Sequence, residues 1–437
     1  MIRKALLLFL TGILSAPPIM AADTTDSSFL LTKVGEHPDV VEKKNQARLK
    51  GLRIREMVAE DGLQINLSTK SKLSIIGEYG DNAQRITDRD RSYIDGVVTA
   101  QKVLYDFGRS EFDISSEKRR EKAAQLEYID VYEQTMRSLL ALSIDVARLE
   151  RQITSLDRTI EITSKSIEEL ELRFSSGVGT VVDVRRAQLL SLDLETDRKS
   201  AYREHTLKLK ALNEEFNLSS EEIKLVFGAV QGLVVEEDEI AASLLNGHEV
   251  GSERSLDRIN YEKSALRSQI KSLRAAEQPQ LSGVLTGMVY DVTRGVDEYE
   301  LYGGVNLSMP LFDSGLSSSK KRSLLHQIQL QDDAVVMVKN QKRMDAIDLA
   351  KRYQQLSLQT RSSRERVINL QERLSQVAQK IAMTGEGLLS KLQTALELAE
   401  AERSISMHPY LMHSINIDYL ALNEQLLGKM SVIPLTQ

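Results

Sequence analysis

The strongest constraint on the fold is a unit of sequence that occurs twice at a constant spacing. The segments Val103–Gly108 (VLYDFG) and Pro310–Gly315 (PLFDSG) match at an offset of 207 residues. Each is followed by a long apolar repeat, and the two repeats end at Phe174 and Ile381, which are again 207 residues apart. Equal spacing over such a long stretch indicates one unit that is present in two copies.

The apolar residues of each repeat recur in alternating steps of three and four, which is the heptad pattern of a coiled coil. In the first copy these positions are Leu139, Leu142, Val146, Leu149, Ile153, Leu156, Ile160, Ile167, Leu170 and Phe174. Glycine-containing turn signals follow at 175–179 and 385–387. We therefore predict two long antiparallel helical hairpins, with helices over 106–174, 180–216, 313–383 and from the second turn to about Leu427.

Upstream of each long helix the apolar residues alternate with a period of two, which predicts half-polar β-strands. The strands are expected over Tyr299–Met309 and Ile94–Lys102, with partner strands that begin at Leu63 and Leu281. Their length of about ten residues is that of an outer-membrane barrel strand, and a soluble hairpin shows the same pattern. Four strands cannot close a barrel, and an open edge in lipid leaves backbone groups unpaired. If the strands span a membrane, several chains must share one barrel.

The first 22 residues have the features of a secretory signal peptide. Arg3 and Lys4 precede the apolar segment Ala5–Leu14, and small residues follow at Ala21 and Ala22. No later segment has 18 consecutive apolar residues, so we expect an exported chain without a membrane helix. The predicted organisation is a signal peptide, a first repeat, an inter-repeat segment and a second repeat, over 1–22, 23–216, 217–255 and 256–437.

The composition excludes several classes of chemistry. The chain has no cysteine, which excludes disulfides, thiolate metal sites and a cysteine nucleophile. Its 57 basic and 63 acidic residues nearly cancel, which argues against binding of nucleic acid. The six histidines lack metal-ligand spacing, and Ser317–Lys320, which fits Ser-x-x-Lys, has no companion motif. We therefore predict no enzymatic activity, no metal and no cofactor.

The repeated segment between strand and helix is expected to form a structural corner. Pro310 lacks an N–H group and marks the end of strand pairing. Asp106 and Asp313 suit the N-cap position of the long helices. Gly108 and Gly315 are expected to let the chain change direction without a Cβ clash.

These features together resemble the TolC family of outer-membrane channel proteins, over about residues 29–427. The resemblance rests on the signal peptide, the doubled corner and the first helical tip, which contains Arg173, Phe174, Gly177, Val182, Asp183, Val184, Ala187 and Gln188. It implies a mostly α-helical fold with a membrane β-barrel, in which each chain of a homotrimer gives four strands to a twelve-stranded barrel in outer-membrane lipid. The helices would form a tunnel across the periplasm, and the inter-repeat segment would form part of a belt around it.

The resemblance further implies the exit duct of a type I protein secretion system, working with an inner-membrane ATP-binding-cassette transporter and a periplasmic adaptor. The alternatives are the outer-membrane component of an efflux pump for drugs or small molecules and, in a different class, an exported coiled-coil structural protein without a pore. The candidate gating residues at the tips are Gly177, Gly179, Asp183, Arg185, Gly385, Gly387 and Lys391. Where the family often has an acidic pair at the second tip, this sequence has Lys391 and Thr394.

Overall fold

A computed structural model describes residues 24–73, 92–233, 253–290, 292, 295, 298–384 and 386–430. The predicted signal peptide and the candidate Gly385 lie outside the described residues. In the described parts of the chain, every helix is too short or too polar to cross a bilayer.

Both copies have the same order of elements, a helix followed by two strands and a long helical hairpin. The first copy contains α1 (Thr24–Gly35), α2 (Pro38–Glu60), β1 (Gln64–Leu73), β2 (Ser92–Tyr105), α3 (Arg109–Ser175) and α4 (Val181–Phe216), and α5 (Ser220–Gly232) follows it. The second contains α6 (Glu253–Ala275), β3 (Gln280–Val289), β4 (Tyr299–Ser308), α7 (Leu316–Thr384), α8 (Leu388–Leu422) and α9 (Leu426–Lys429). The predicted hairpins are therefore confirmed. With 67 residues, α3 is on the order of 100 Å long.

Three boundaries differ from the prediction. The long helices begin at Arg109 and Leu316, three residues later than expected, because the corner residues before them have left-handed backbone angles. The last long helix, α8, ends at Leu422 rather than near Leu427, and Glu424 (φ 57°) separates it from α9. A left-handed residue cannot continue a right-handed helix, so the chain turns there.

The four strands form one antiparallel sheet in the order β1-β2-β3-β4. The central pairing of β2 with β3 joins the two copies, with Ala100 opposite Leu285. Among the strands that the structure describes, β1 and β4 each have a neighbour on one side only.

The long helices lie side by side. Towards the tips, α4 contacts α3, α3 contacts α8, and α8 contacts α7. Towards the sheet, α2 contacts α3, α3 contacts α6, and α6 contacts α7. Helices α2 and α4 therefore form one flank of the chain and α7 forms the other.

The main hydrophobic core lies around the middle of the long helices, where α1, α5 and α9 pack on α3, α7 and α8. The Tyr132 hydroxyl donates a hydrogen bond to the Leu31 carbonyl (2.9 Å) and so fixes α1 on α3. We call this core region the equatorial core. Helix α5 lies in the predicted inter-repeat segment, 217–255. It begins with a capping box formed by Ser219 and Glu222.

Candidate functional site

One face of the sheet is apolar on all four strands. The register places Leu67 opposite Val98, Val98 opposite Gly287, and Gly287 opposite Leu301. In this row Leu67 is 75% exposed and Leu301 is 68% exposed. The same face carries further exposed apolar side chains at Ile65, Leu285, Val305 and Leu307. A contiguous exposed apolar surface of this kind indicates contact with lipid or with another protein.

The opposite face of the sheet is mainly polar. Its central row joins Asn66, Thr99, Thr286 and Tyr302 across the four strands. Thr286 and Ser282, which also lies on this face, are buried. The sheet therefore separates an apolar side from a polar side, as the wall of a water-filled membrane barrel does.

The two flanks of the chain also expose apolar side chains. On α7 these are Leu325, Val336, Ile347 and Leu358, which follow one another at steps of eleven residues, or three helical turns. On the other flank they are Val41, Leu49 and Leu52 of α2 and Leu189, Leu192 and Leu207 of α4. Each flank continues the exposed edge of the sheet, because β1 follows α2 and β4 precedes α7.

The corner aspartates bind backbone groups, but from a position different from the predicted one. The N-cap of α3 is Gly108, so the prediction that Asp106 is the N-cap residue was wrong by two positions. The Asp106 carboxylate nevertheless accepts hydrogen bonds from the N–H groups of Gly108 (3.0 Å) and Ser110 (2.7 Å). Burial raises the pKa of Asp106, but these bonds and one from the Ser110 hydroxyl outweigh it, and the net pKa is lowered.

The second corner has the same arrangement. Asp313 accepts from the N–H groups of Gly315 (2.9 Å) and Ser317 (2.8 Å), and hydrogen bonds from Ser317 lower its pKa. Pro310 follows the last paired residue, Ser308, by two positions.

Left-handed backbone angles, rather than lack of space, explain the corner glycines. A Cβ at Gly108 or Gly315 would make only ordinary contacts, but φ is +79° and +83°. The preceding Phe107 and Ser314 also have positive φ, which the sequence did not indicate. Two consecutive left-handed residues redirect the chain from strand to helix.

The two helical tips pack against each other. Leu170 of α3 and Val184 and Ala187 of α4 form a small buried cluster with Leu388 and Leu392 of α8. We call these five residues the tip cluster. The cluster joins residues that are about two hundred positions apart, and sequence analysis did not predict it.

The candidate gating residues lie around this cluster. Asp183 is in the first turn of α4, where its N–H and its carboxylate both bind the Thr180 hydroxyl (3.2 and 2.8 Å). Arg185 is exposed, and Gly177 (φ +79°) lies in the loop that connects α3 and α4. Gly387 (φ +104°) precedes α8, and its carbonyl accepts from the Lys391 N–H (3.0 Å). Thr394 is buried and binds the Ser390 carbonyl.

Gly179 is required by the packing of the first tip. A Cβ at this position would lie 3.0 Å from the Phe174 nitrogen and 3.3 Å from the Arg173 carbonyl carbon. We expect Gly179→Ala to lower the free energy of unfolding by about 1–3 kcal/mol, because backbone atoms must move. In thermal unfolding, the control Gly228→Ala, in the open interior of α5, is expected to be neutral or stabilising. Equal effects of the two substitutions would contradict this explanation.

A cluster of charged side chains joins both copies beside the equatorial core. Arg254 at the start of α6 pairs with Glu133 of α3, and its backbone N–H donates to Glu424 (2.9 Å). Glu424 also accepts from Lys342 of α7 (2.6 Å), and Glu133 accepts from the Leu426 N–H (3.1 Å).

A second carboxylate, Asp418, lies between Arg137 of α3 and Arg352 of α7 (2.6 and 2.7 Å). We call these residues the charged clasp. No local sequence pattern indicates it, because its partners are far apart in the chain.

Asp130, next to the clasp, is predicted to make stability depend on pH. Burial raises its pKa to about 6, although Arg254 lies 3.6 Å from its carboxylate and favours the charged form. The folded state therefore binds this proton more tightly than the unfolded state does, and stability falls as pH rises from about 4 to about 6. We expect the stability of Asp130→Asn relative to the unsubstituted protein to rise over this range and then level off. Denaturant unfolding at several pH values measures it, and a difference that is constant with pH would contradict it.

In the described parts of the chain, no group of three or more His, Asp or Glu side chains is placed to hold a metal ion. The structural features that the chain presents are thus a two-faced sheet, two apolar flanks and a packed helical tip.

The fold is that of solved outer-membrane channels. The chain is similar to the outer membrane protein VceC from Vibrio cholerae, with a TM-score of 0.74 and 15% identity over 91% of this chain and 96% of that one. A membrane protein from Pseudomonas aeruginosa matches with a TM-score of 0.75 and 13% identity, over 91% and 92% of the two chains. The open state of the Neisseria gonorrhoeae MtrE outer membrane channel matches with a TM-score of 0.71 and 14% identity, over 92% and 89%. The chain therefore has the TolC-like fold.

No protein-family model and no curated protein matches the sequence. The similarity is therefore one of structure, at sequence identities of 13–15% for these three proteins.

Proposed function

We propose that this chain is one subunit of a homotrimeric outer-membrane channel that extends into the periplasm. The observation that carries the proposal is the amphipathic sheet with two unpaired edges. Its apolar face suits lipid and its polar face suits a water-filled lumen. In lipid, the unpaired N–H and C=O groups of β1 and β4 would cost several kcal/mol each unless another chain pairs with them.

The direction of the strands allows copies of the chain to complete a ring. Because the sheet is antiparallel with four strands, β1 and β4 run in opposite directions. The β4 edge of one subunit can therefore pair antiparallel with the β1 edge of the next subunit, and three subunits give twelve strands. The exposed stripe on α7 then meets the exposed residues of α2 and α4 on the neighbouring subunit.

The finer proposal is the exit duct of a type I secretion system, in which an inner-membrane ATP-binding-cassette transporter and a periplasmic adaptor work with the channel. It derives from the family resemblance, and the fold supports it equally with an efflux channel for small molecules. A coiled-coil structural protein without a pore accounts for the heptads but leaves the apolar face of the sheet without a function. Deletion of the gene separates the first two, through loss of a secreted protein or a gain in drug susceptibility.

The experiment that tests the channel is extraction of outer membranes in mild detergent followed by recording in planar bilayers. We expect the chain to purify as a trimer and to conduct ions. A protein that is released from the periplasm as a soluble single chain and does not conduct would contradict the proposal.

We further propose that charge at the tips controls conduction. Asp183, Arg185 and Lys391 lie at the helical tips, and Gly177, Gly179 and Gly387 lie in the turns before α4 and α8. Reversing the charge with Asp183→Lys or Lys391→Glu should change single-channel conductance or leak, since a charged constriction sets the local field. Unchanged currents for both variants would exclude these two residues as the site.

A further inference from the structure

The two copies within one chain are joined where α3 packs on α6. The Ser116 hydroxyl of α3 donates a hydrogen bond to the Ala265 carbonyl of α6 (3.0 Å). One helical turn farther along α3, Arg119 donates to the Ser264 carbonyl (2.6 Å) and to the Ser268 hydroxyl (2.9 Å). Ser116, Ala265 and Ser268 are at most 3% exposed, so the two helices are in close contact. We call this contact the internal joint.

Each helix of the internal joint has a counterpart on an outer flank, because the chain is duplicated. Helix α7 begins 207 residues after α3, which is the offset of the repeated unit. In the sheet, Gln64 pairs with Gln101, and Gln280 pairs with Ser308, the counterpart of Gln101 at this offset. Gln64 and Gln280 are therefore counterparts, so α2 and α6, the helices before these strands, correspond at an offset of 216 residues.

One face of α2 is covered by its own chain and another is exposed. Ile54 on the covered face is buried, as is its counterpart Ile270. On α6, the face of the internal joint continues at helical spacing, and its buried residues are Ala265, Ser268, Ser272 and Ala275. Their counterparts on α2 are all exposed, and they are Leu49, Leu52, Glu56 and Ala59. The half of the joint that α6 provides thus recurs, uncovered, on the flank that contains α2.

The half of the joint that α3 provides recurs on the opposite flank. The residues of α3 on this face are Phe112, Ser116, Arg119 and Ala123. Their counterparts on α7 are all exposed, and they are Ser319, Ser323, His326 and Leu330. The serine that donates across the internal joint is therefore repeated at Ser323. One chain carries both halves of a second joint on opposite flanks, where they can meet only between neighbouring subunits.

The sizes of the side chains fit such a contact. Lys122 Nζ lies 5.5 Å from the centre of the Tyr261 ring, so the next residue of α3, the small Ala123, is level with this large ring. The counterparts at this level are Leu330 of α7 and Asn45 of α2. The larger side chain is now on α7 and the smaller one on α2. This exchange of bulk is expected of two surfaces that pack on each other, because packed contacts leave few voids.

We propose that α7 of one subunit packs on α2 of the next subunit in the register of the internal joint. In this register Ser323 lies against Leu49 and Leu330 lies against Asn45. Joints within and between subunits then alternate around the ring. The proposal rests on the proposed homotrimer, and it assigns the residues through which one copy of the chain recognises the next.

The test links the two halves through introduced cysteines, since the chain has none of its own. Ser323→Cys and Leu49→Cys are combined in one chain, and outer membranes are mildly oxidised before extraction. The matched control combines Ser323→Cys with Ala59→Cys, which lies on the same face of α2 but about 15 Å farther along the helix axis. A disulfide requires Cα atoms within about 7 Å. We therefore expect at least tenfold more linked dimer and trimer for the Leu49 pair on a non-reducing gel.

Two results would overturn the register even in a trimeric protein. One is linkage of the Ala59 pair as strongly as the Leu49 pair, and the other is linkage of neither pair. The mass of the cysteine-free protein in mild detergent decides the proposed function separately. A single chain there would refute the homotrimer and the joint with it, whereas a trimer without the Leu49 link would refute the joint alone.

Discussion

Replacing Val305 with arginine is expected to abolish insertion of the assembled protein into the outer membrane. Val305 lies near the middle of β4 on the apolar face, opposite Gly283, and is 67% exposed. Arginine on the lipid side of a barrel costs about 2–4 kcal/mol near the bilayer midplane, and a trimer carries it three times. We expect most of the Val305→Arg chains to be absent from the outer-membrane fraction, measured by fractionation and by trimer content in mild detergent.

Asn306→Arg is the matched control for this substitution. Asn306 is the next residue of the same strand and points to the polar face, opposite Ser282. In the proposed barrel, an arginine there would face the water-filled lumen, so insertion should remain normal while conductance changes. Equal insertion of both variants would show that the apolar face does not contact lipid. Equal loss would show that β4 tolerates no large residue on either side.

Replacing Arg254 with alanine is expected to destabilise the helical part of the protein strongly. Glu133, its partner, is only 6% exposed and would lose its guanidinium partner. Removing one partner of a buried ion pair typically costs about 3–5 kcal/mol. The expected result is a clear loss of thermal stability for Arg254→Ala, measured by unfolding in detergent.

Two further variants define the cause of this loss. Arg53→Ala breaks an exposed pair with Glu56 (2.9 Å) on α2, and it should destabilise the protein far less than Arg254→Ala, because solvent screens an exposed pair. The double variant Arg254→Ala, Glu133→Ala should lose less than Arg254→Ala alone, because the Glu133 carboxylate is no longer buried without its guanidinium partner. A double variant less stable than the single one would indicate that lost packing, rather than the unpaired charge, causes the effect.

Periodicity was sufficient to predict the long elements. The heptads and the turns at 175–179 and 385–387 gave both hairpins, and alternation gave the four strands, because these patterns reflect burial along one element. The sequence indicated that Asp106 accepts hydrogen bonds from the N–H groups at the start of α3. It did not indicate that Asp106 does so from two residues before the N-cap, Gly108. The positive φ of Phe107 was not predicted, because a bulky residue rarely adopts it.

The remaining features depend on contacts between distant parts of the chain. The tip cluster unites Leu170 with Leu392, and the charged clasp unites Glu133 with Arg254. Neither partner of such a pair carries a local signal, since each is one apolar or charged residue among many on a long helix.

Amide hydrogen exchange on the detergent-extracted assembly tests most directly whether neighbouring chains complete the barrel. In the described part of one chain, β2 and β3 are paired on both sides, whereas β1 and β4 are paired on one side only. If neighbouring copies close the ring, the amides of Gln64–Leu73 and Tyr299–Ser308 should exchange as slowly as those of the two central strands. Rapid exchange confined to β1 and β4, with β2 and β3 protected, would show that the edges stay open and that the chain builds no barrel.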